Sequence, residues 1–120
     1  MVFNVNPIKS EGYILINTRR GIKYIVIKKI IFIKSCNKNC IICLEDNVSL
    51  ECLHLLKYFE ANLQGLEFFR CSKSFIINLE FIEYFTYKSI ILKGNYYIKL
   101  SRKKRQEFFE IYSKFMQLKV

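Results

Sequence analysis

The sequence predicts a mainly β, α+β domain, and three observations carry that prediction. Ile, Val, Tyr and Phe cluster in short runs separated by Gly, Asn and Asp, the pattern of strands joined by tight turns. Apolar residues fall at helical spacing in only two stretches, one mid-chain and one at the C-terminus. The 120 residues are 52% hydrophobic, enough for one core, yet no apolar run reaches the ~18 residues of a membrane span. Residues 1–12 read as an N-terminal extension and 13–120 as the folded domain. Met1 to Gly12 lacks the charged start and apolar centre of a signal peptide, so the chain is expected in the cytoplasm without membrane insertion.

In order, Tyr13 to Asn17 is a β-rich run closed by a turn at Arg19-Arg20-Gly21, and Lys23 to Ile27 and Ile30 to Lys34 are further strands. Ser35 to Asn39 is polar and reads as a hairpin loop before a strand at Cys40 to Leu44. Asp46-Asn47 turns the chain into Val48 to Leu50. Leu53, Leu56, Phe59, Glu60 and Leu63 then mark a helix, with Gly65 placed to end it. Phe68 to Leu79 is an apolar pair, a polar cluster (Arg70, Ser72, Lys73, Ser74) and an apolar run enclosing Asn78. An amide held among apolar neighbours points to a buried hydrogen-bonding role, because an unpaired buried amide costs roughly 1–3 kcal/mol. Arg70, Ser74 and Asn78 are therefore expected to shape a turn that presents Lys73. Phe81 to Tyr87 and Ser89 to Leu92 read as strands, Lys93-Gly94-Asn95 as a hairpin turn and Tyr96 to Leu100 as its return. Phe108, Phe109, Tyr112, Phe115 and Met116 define one face of a C-terminal helix.

Charge is unevenly placed. The formal net charge is +10. Gly12 to Leu44 holds seven bases and no acid, Tyr84 to Gln106 again seven bases and no acid, and Glu45 to Glu83 seven acids against three bases. Two basic lobes around a neutral-to-acidic centre suggest one polyanion-binding surface built from both ends of the chain. The start of the last helix sharpens this. Ser101 is a good N-cap, but Arg102, Lys103, Lys104 and Arg105 follow where acids would suit the positive helix end. An external phosphate would relieve that conflict, since helix N-terminal amides and basic side chains both attract it.

The five cysteines are odd in number and sit in a lysine-rich chain, which argues against a disulfide framework. Cys36-x3-Cys40-x2-Cys43 has the spacing of the iron–sulfur motif of radical S-adenosylmethionine enzymes, but those require a far longer, barrel-sized domain. Strand alternation also points Cys40 and Cys43 to opposite faces, and only His54 is left to complete a zinc set. No metal, cofactor or catalytic set is expected, and the chain is not read as an enzyme. Cys71, beside Arg70 and Lys73, is a candidate for a lowered pKa and oxidation sensitivity, and the residues alone leave its redox activity open.

Ile30-Ile31-Phe32-Ile33-Lys34-Ser35, Phe69-Arg70-Cys71-Ser72-Lys73-Ser74-Phe75-Ile76-Ile77-Asn78-Leu79, Ile82, and Ile98-Lys99-Leu100-Ser101-Arg102 together resemble the LytTR DNA-binding domain. That family's pattern is an "I-x-Y-I-E" strand, an "F-x-R-x-H-R-S-x-x-V-N" block and a closing "S-R" before the last helix. The resemblance runs from about Tyr13 to Phe115. It implies an elongated fold of small stacked antiparallel sheets with a mid-chain and a C-terminal helix, whose loops enter successive major grooves and bend the DNA at paired direct repeats. Carried over, the contact positions are Cys40 or its neighbour Asn39, Lys73 and Arg102. Ser72 stands in place of the frequent His, Lys73 where Arg is common, and Lys34 in place of an acid. The response-regulator relatives of this output domain carry a receiver domain that these 120 residues do not contain, so control is expected through abundance, a regulatory partner protein or homodimerisation on paired repeats.

The expectation is a sequence-specific regulator of transcription that binds double-stranded DNA. Lys38, Lys73, Lys103, Lys104 and Arg105 would neutralise phosphates, and Arg102 would read guanine. Two rivals stand beside it. One is a protein-interaction module that sequesters a related regulator through Tyr84, Phe85 and Tyr87. The other is an RNA-binding protein stacking bases on some of its eight Tyr and eleven Phe.

Overall fold

The computed structural model describes residues 12–118, and among these the chain forms three small antiparallel sheets and two α-helices. β1 (Tyr13–Thr18) and β2 (Gly21–Val26) form a two-stranded sheet. β3 (Ile30–Cys36), β4 (Asn39–Leu44), β5 (Val48–Cys52), β6 (Phe68–Arg70) and β7 (Phe75–Asn78) form a five-stranded sheet in the order β5-β4-β3-β7-β6. β8 (Ile82–Phe85), β9 (Ser89–Leu92) and β10 (Tyr96–Lys99) make the third, with β9 central. The helices are α1 (Leu56–Asn62) and α2 (Arg102–Leu118). The expected mainly β architecture of stacked sheets holds, in a body of 40 × 32 × 26 Å. No described helix is long and apolar enough to cross a membrane. Of the expected N-terminal extension, residues 1–11 lie outside the described residues. Gly12 does not behave as an extension, since its carbonyl accepts the Ile27 N–H at 3.0 Å.

The five-stranded sheet is the middle layer, and its two faces seed two cores. On one face Ile33, Cys40, Ile42, Cys52 and Ile76 meet Ile14, Ile16 and Ile25 of the two-stranded sheet and Leu56, Phe59 and Leu63 around α1. On the other face Ile31, Phe32, Cys43, Phe69, Cys71 and Ile77 meet Ile90, Leu92 and Ile98 of the third sheet and Phe108 of α2. This explains why Ile30 to Ile33 are four consecutive buried residues: β3 is central and covered on both sides. A register shift between Ile30 and Phe32 puts Ile31 and Phe32 in the same core, where strict alternation would separate them. α1 has no side-chain cap, so its seven residues depend on the buried Leu56 and Phe59.

Several boundaries differ from expectation: the Ser35–Asn39 loop narrows to Asn37 and Lys38 because Cys36 and Asn39 pair, and others shift for local reasons. Ile27 leaves the strand for a 3-10 turn, Ile27–Lys29, and Phe81 likewise belongs to a 3-10 turn, Leu79–Phe81. β8 stops at Phe85 because the Thr86 hydroxyl accepts the N–H groups of Lys88 and Ser89, both at 3.1 Å. α1 starts only at Leu56 because its N-cap Leu55 is extended (φ −81°, ψ 160°), so Leu53, whose N–H bonds the Asn17 carbonyl at 2.8 Å, lies before the helix with its side chain exposed. Met116 is exposed, while Phe109, Tyr112 and Phe115 pack on the second core beside the buried Phe108.

Candidate nucleic-acid interface

The turn between β6 and β7 is clamped by Arg70. Its guanidinium donates from Nε to the Ser72 carbonyl at 2.7 Å, from Nη2 to the Lys73 carbonyl at 3.1 Å and from Nη1 to Glu60 of α1 at 2.8 Å. The Ser72 hydroxyl accepts the Ser74 N–H at 3.0 Å. These bonds consume the polar groups of the turn from inside and leave the Lys73 side chain exposed. Ser74 acts through its backbone: its carbonyl accepts the Ser35 N–H at 2.8 Å, fastening the turn to β3. One strand over, Asn37 takes the left-handed conformation (φ 58°) and closes the two-residue turn that carries Lys38. Lys38 and Lys73 therefore project from adjacent turns at one end of the five-stranded sheet. Asn78 sits at the other end of β7, fully buried. Its amide donates to the Ile30 carbonyl at 2.8 Å and its Oδ1 accepts the Glu80 N–H at 2.9 Å, so it holds β3 and the second 3-10 turn together rather than the β6–β7 turn.

The run of four cations divides by helical geometry. The Ser101 hydroxyl and carbonyl both face the Lys104 N–H, at 3.3 and 3.2 Å, and no acid occupies the first turn. Arg102 and Lys103 are exposed. Lys104 turns back over the Phe69 ring, 5.8 Å from its centroid, and pairs with Glu107 at 3.1 Å, which brings the helix start beside β6. Arg105 donates to the Tyr87 carbonyl at 2.8 Å and lies 5.5 Å over the Tyr87 ring. Lys88 and Lys99 join Arg102, Arg105 and Tyr97 around one shallow pocket. Sequence reasoning did not single out those two lysines, although both lie in the acid-free stretch that flagged the region.

Four of the five cysteines, Cys40, Cys43, Cys52 and Cys71, are buried. Cys40 is sealed in the first core and Cys43 lies in the second, on the opposite face. Burial pushes the Cys40 thiol up to about 11, so between the two candidates Asn39 is the one with surface access. Cys71 lacks the surroundings of a reactive thiol. It is fully buried, and desolvation pushes it up to about 12 against the smaller opposing effects of Lys104 and Arg70. His54 stacks on Tyr58 at 3.8 Å and accepts the Asn17 N–H at 2.9 Å, and burial lowers its pKa, so it serves as a neutral tether for β1. No group of three or more metal-ligating side chains occurs among the described residues.

The aromatic strip Tyr84, Phe85 and Tyr87 does not form one face. Tyr84 pairs across β9 with Ile91 on the outer side of the third sheet, whereas the Phe85 ring meets Phe108, Phe109 and Tyr112. Tyr87 packs on Phe109 and under Arg105.

The model of the LytTr DNA-binding domain family matches residues 20–113. No curated protein matches. Among solved structures, the LytTr DNA-binding domain of a Bacillus cereus protein described as a methyl-accepting/DNA response regulator is similar, with 19% identity and a TM-score of 0.69 over 83% of this chain and 95% of that one. At that identity the likeness speaks for the fold.

Proposed function

The chain belongs to the LytTr DNA-binding domain family, and from that premise we propose that it is a sequence-specific regulator of transcription that lays one end of its central sheet across successive major grooves of duplex DNA. The observation that carries this reading is the grouping of three chain-distant basic elements, the Asn37–Lys38 turn, the Lys73 turn and the start of α2, along the β3–β7–β6 end of that sheet. The five strands span about 19 Å there, and the start of α2 with the third sheet lengthens that edge within a body 40 Å long, against the ~34 Å between successive major grooves. Lys38, Lys73 and Lys103 neutralise phosphates, joined by Lys88 and Lys99 beside the helix start. Lys104 and Arg105 have protein partners and mainly brace the first turn of α2. Arg102, exposed and fixed to a capped helix, reads guanine with its planar fork. Asn39 takes the contact from the β3–β4 loop. Two copies bind paired repeats as a homodimer or side by side.

The test is an Arg102→Ala protein in anisotropy titrations against a duplex selected from random sequence. Preference for the selected site should fall roughly 5- to 150-fold, the equivalent of 1–3 kcal/mol for a bidentate base contact, while weak salt-sensitive binding persists. Unchanged preference removes Arg102 from base reading. Absence of any duplex binding by the unaltered protein removes the whole reading.

A further inference from the structure

The basic edge has a further member, at the turn where the residues matched by the family model begin. The β1–β2 turn carries Arg19 and Arg20, both exposed, and β1 together with Arg19 precedes the matched residues. The turn is rigid: the Thr18 hydroxyl donates to the Gly21 carbonyl at 2.8 Å and accepts the Arg20 N–H at 3.1 Å, and Gly21 takes φ 120°. It is also fixed to the rest of the molecule. Asn17, two residues before Arg19, accepts the Leu53 N–H at 2.8 Å through its carbonyl and donates its own N–H to His54 at 2.9 Å. Leu53 follows Cys52, and Cys52 pairs with Cys40, the neighbour of Asn39. The chain path bounds the separation of Arg19 and Asn39 at about 25 Å. The turn thus stands at the β5 flank of the same sheet end whose β6 flank meets α2. The ion pairs among the described residues join Arg70 to Glu60, Lys93 to Glu45 and Lys104 to Glu107, and leave both arginines free of acids.

We propose that Arg19 and Arg20 bind backbone phosphates of duplex DNA just outside the segment contacted by the β3–β4 loop, the β6–β7 turn and α2. This rests on the DNA-binding reading above. A guanidinium can read a base or hold a phosphate, but this turn flanks the elements that enter the groove, so its two meet the backbone there; they extend the footprint and strengthen binding without changing sequence preference. The molecule also supplies its own control. Lys28 and Lys29 are an equally charged exposed pair at the opposite end of the sheet, where the Lys29 carbonyl accepts the Glu45 N–H from the β4–β5 loop.

The test compares R19Q/R20Q with K28Q/K29Q in the full chain, titrated over a range of salt against a selected duplex with flanks of about ten base pairs. Both variants lose the same charge. The first should lower the slope of log affinity against log salt by about 1.8, two phosphates at about 0.9 each, and a duplex trimmed of its flanks should abolish the difference. The second should leave the slope near that of the unaltered protein. Equal losses in both variants, or no loss in the first while the unaltered protein binds, would overturn this proposal and leave the DNA reading intact. Failure of the unaltered protein to bind any duplex would overturn both.

Discussion

The molecule builds the same backbone device twice and uses it differently. In each, a 3-10 turn leads into a strand whose first pairings carry a register shift, and a hairpin follows: Ile27–Lys29 into β3 and β4, then Leu79–Phe81 into β8 and β9. The pairings correspond, Ile30 with Leu44 and Phe32 with Cys43 in the first, Ile82 with Leu92 and Tyr84 with Ile91 in the second. Both close on the same bond, from Glu45 N–H to the Lys29 carbonyl and from Lys93 N–H to the Phe81 carbonyl. The differences lie in length and company. β3 runs on from Ile33 to Cys36, whereas β8 ends at Phe85, the position equivalent to Ile33. Three extra residues carry the Asn37–Lys38 turn roughly 10 Å further out. β3 also has strands on both sides and cores on both faces, while β8 is a sheet edge. Local geometry is thus shared, and hairpin length with neighbouring layers decides how far each copy carries its basic loop, Lys38 in the first and Lys88 in the second.

The sharpest way to break this comparison is at the paired positions Phe32 and Tyr84, which are 5% and 59% exposed. Phe32→Ala should cost about 3–5 kcal/mol in denaturant unfolding, through a cavity between Phe75 and Tyr96, and Tyr84→Ala under about 0.5 kcal/mol. Similar losses at both positions would mean that the two hairpins share their surroundings as well as their backbone. A smaller effect separates the two 3-10 turns. Asn78 caps the second with its side chain, whereas Val26 at the equivalent position of the first makes no such bond. Asn78→Ala strands a buried carbonyl and a partly buried N–H, so it should cost about 2 kcal/mol in the same unfolding experiment. A loss near zero would show that water or a shifted backbone replaces the amide.

Much of this was legible in the residues. The β-branched runs located the strands, and the lone amide among Ile76, Ile77 and Leu79 announced a buried, bonded Asn78. Ser101 marked the start of α2. The 3-10 turns were not legible, because Ile-Lys-Lys and Leu-Glu-Phe continue the composition of the strands beside them and a single bond, Ile30 N–H to Ile27 or Ile82 N–H to Leu79, defines each turn. The state of Cys71 was open in the sequence for a similar reason. Its neighbours are cationic, but the Arg70 side chain is spent on carbonyls and Glu60, and burial dominates the thiol. The four cations after Ser101 look alike in sequence, and only the helix turns two of them toward Phe69 and Tyr87.

Duplex DNA laid across one end of the five-stranded sheet should leave its mark on amide hydrogen exchange recorded with and without a selected duplex. Added protection is expected in residues 36–39, 71–74 and 99–105, with residues 27–29 and 45–47 at the opposite end unchanged. Protection confined to the opposite end, or to the outer face of β8, β9 and β10, would contradict it.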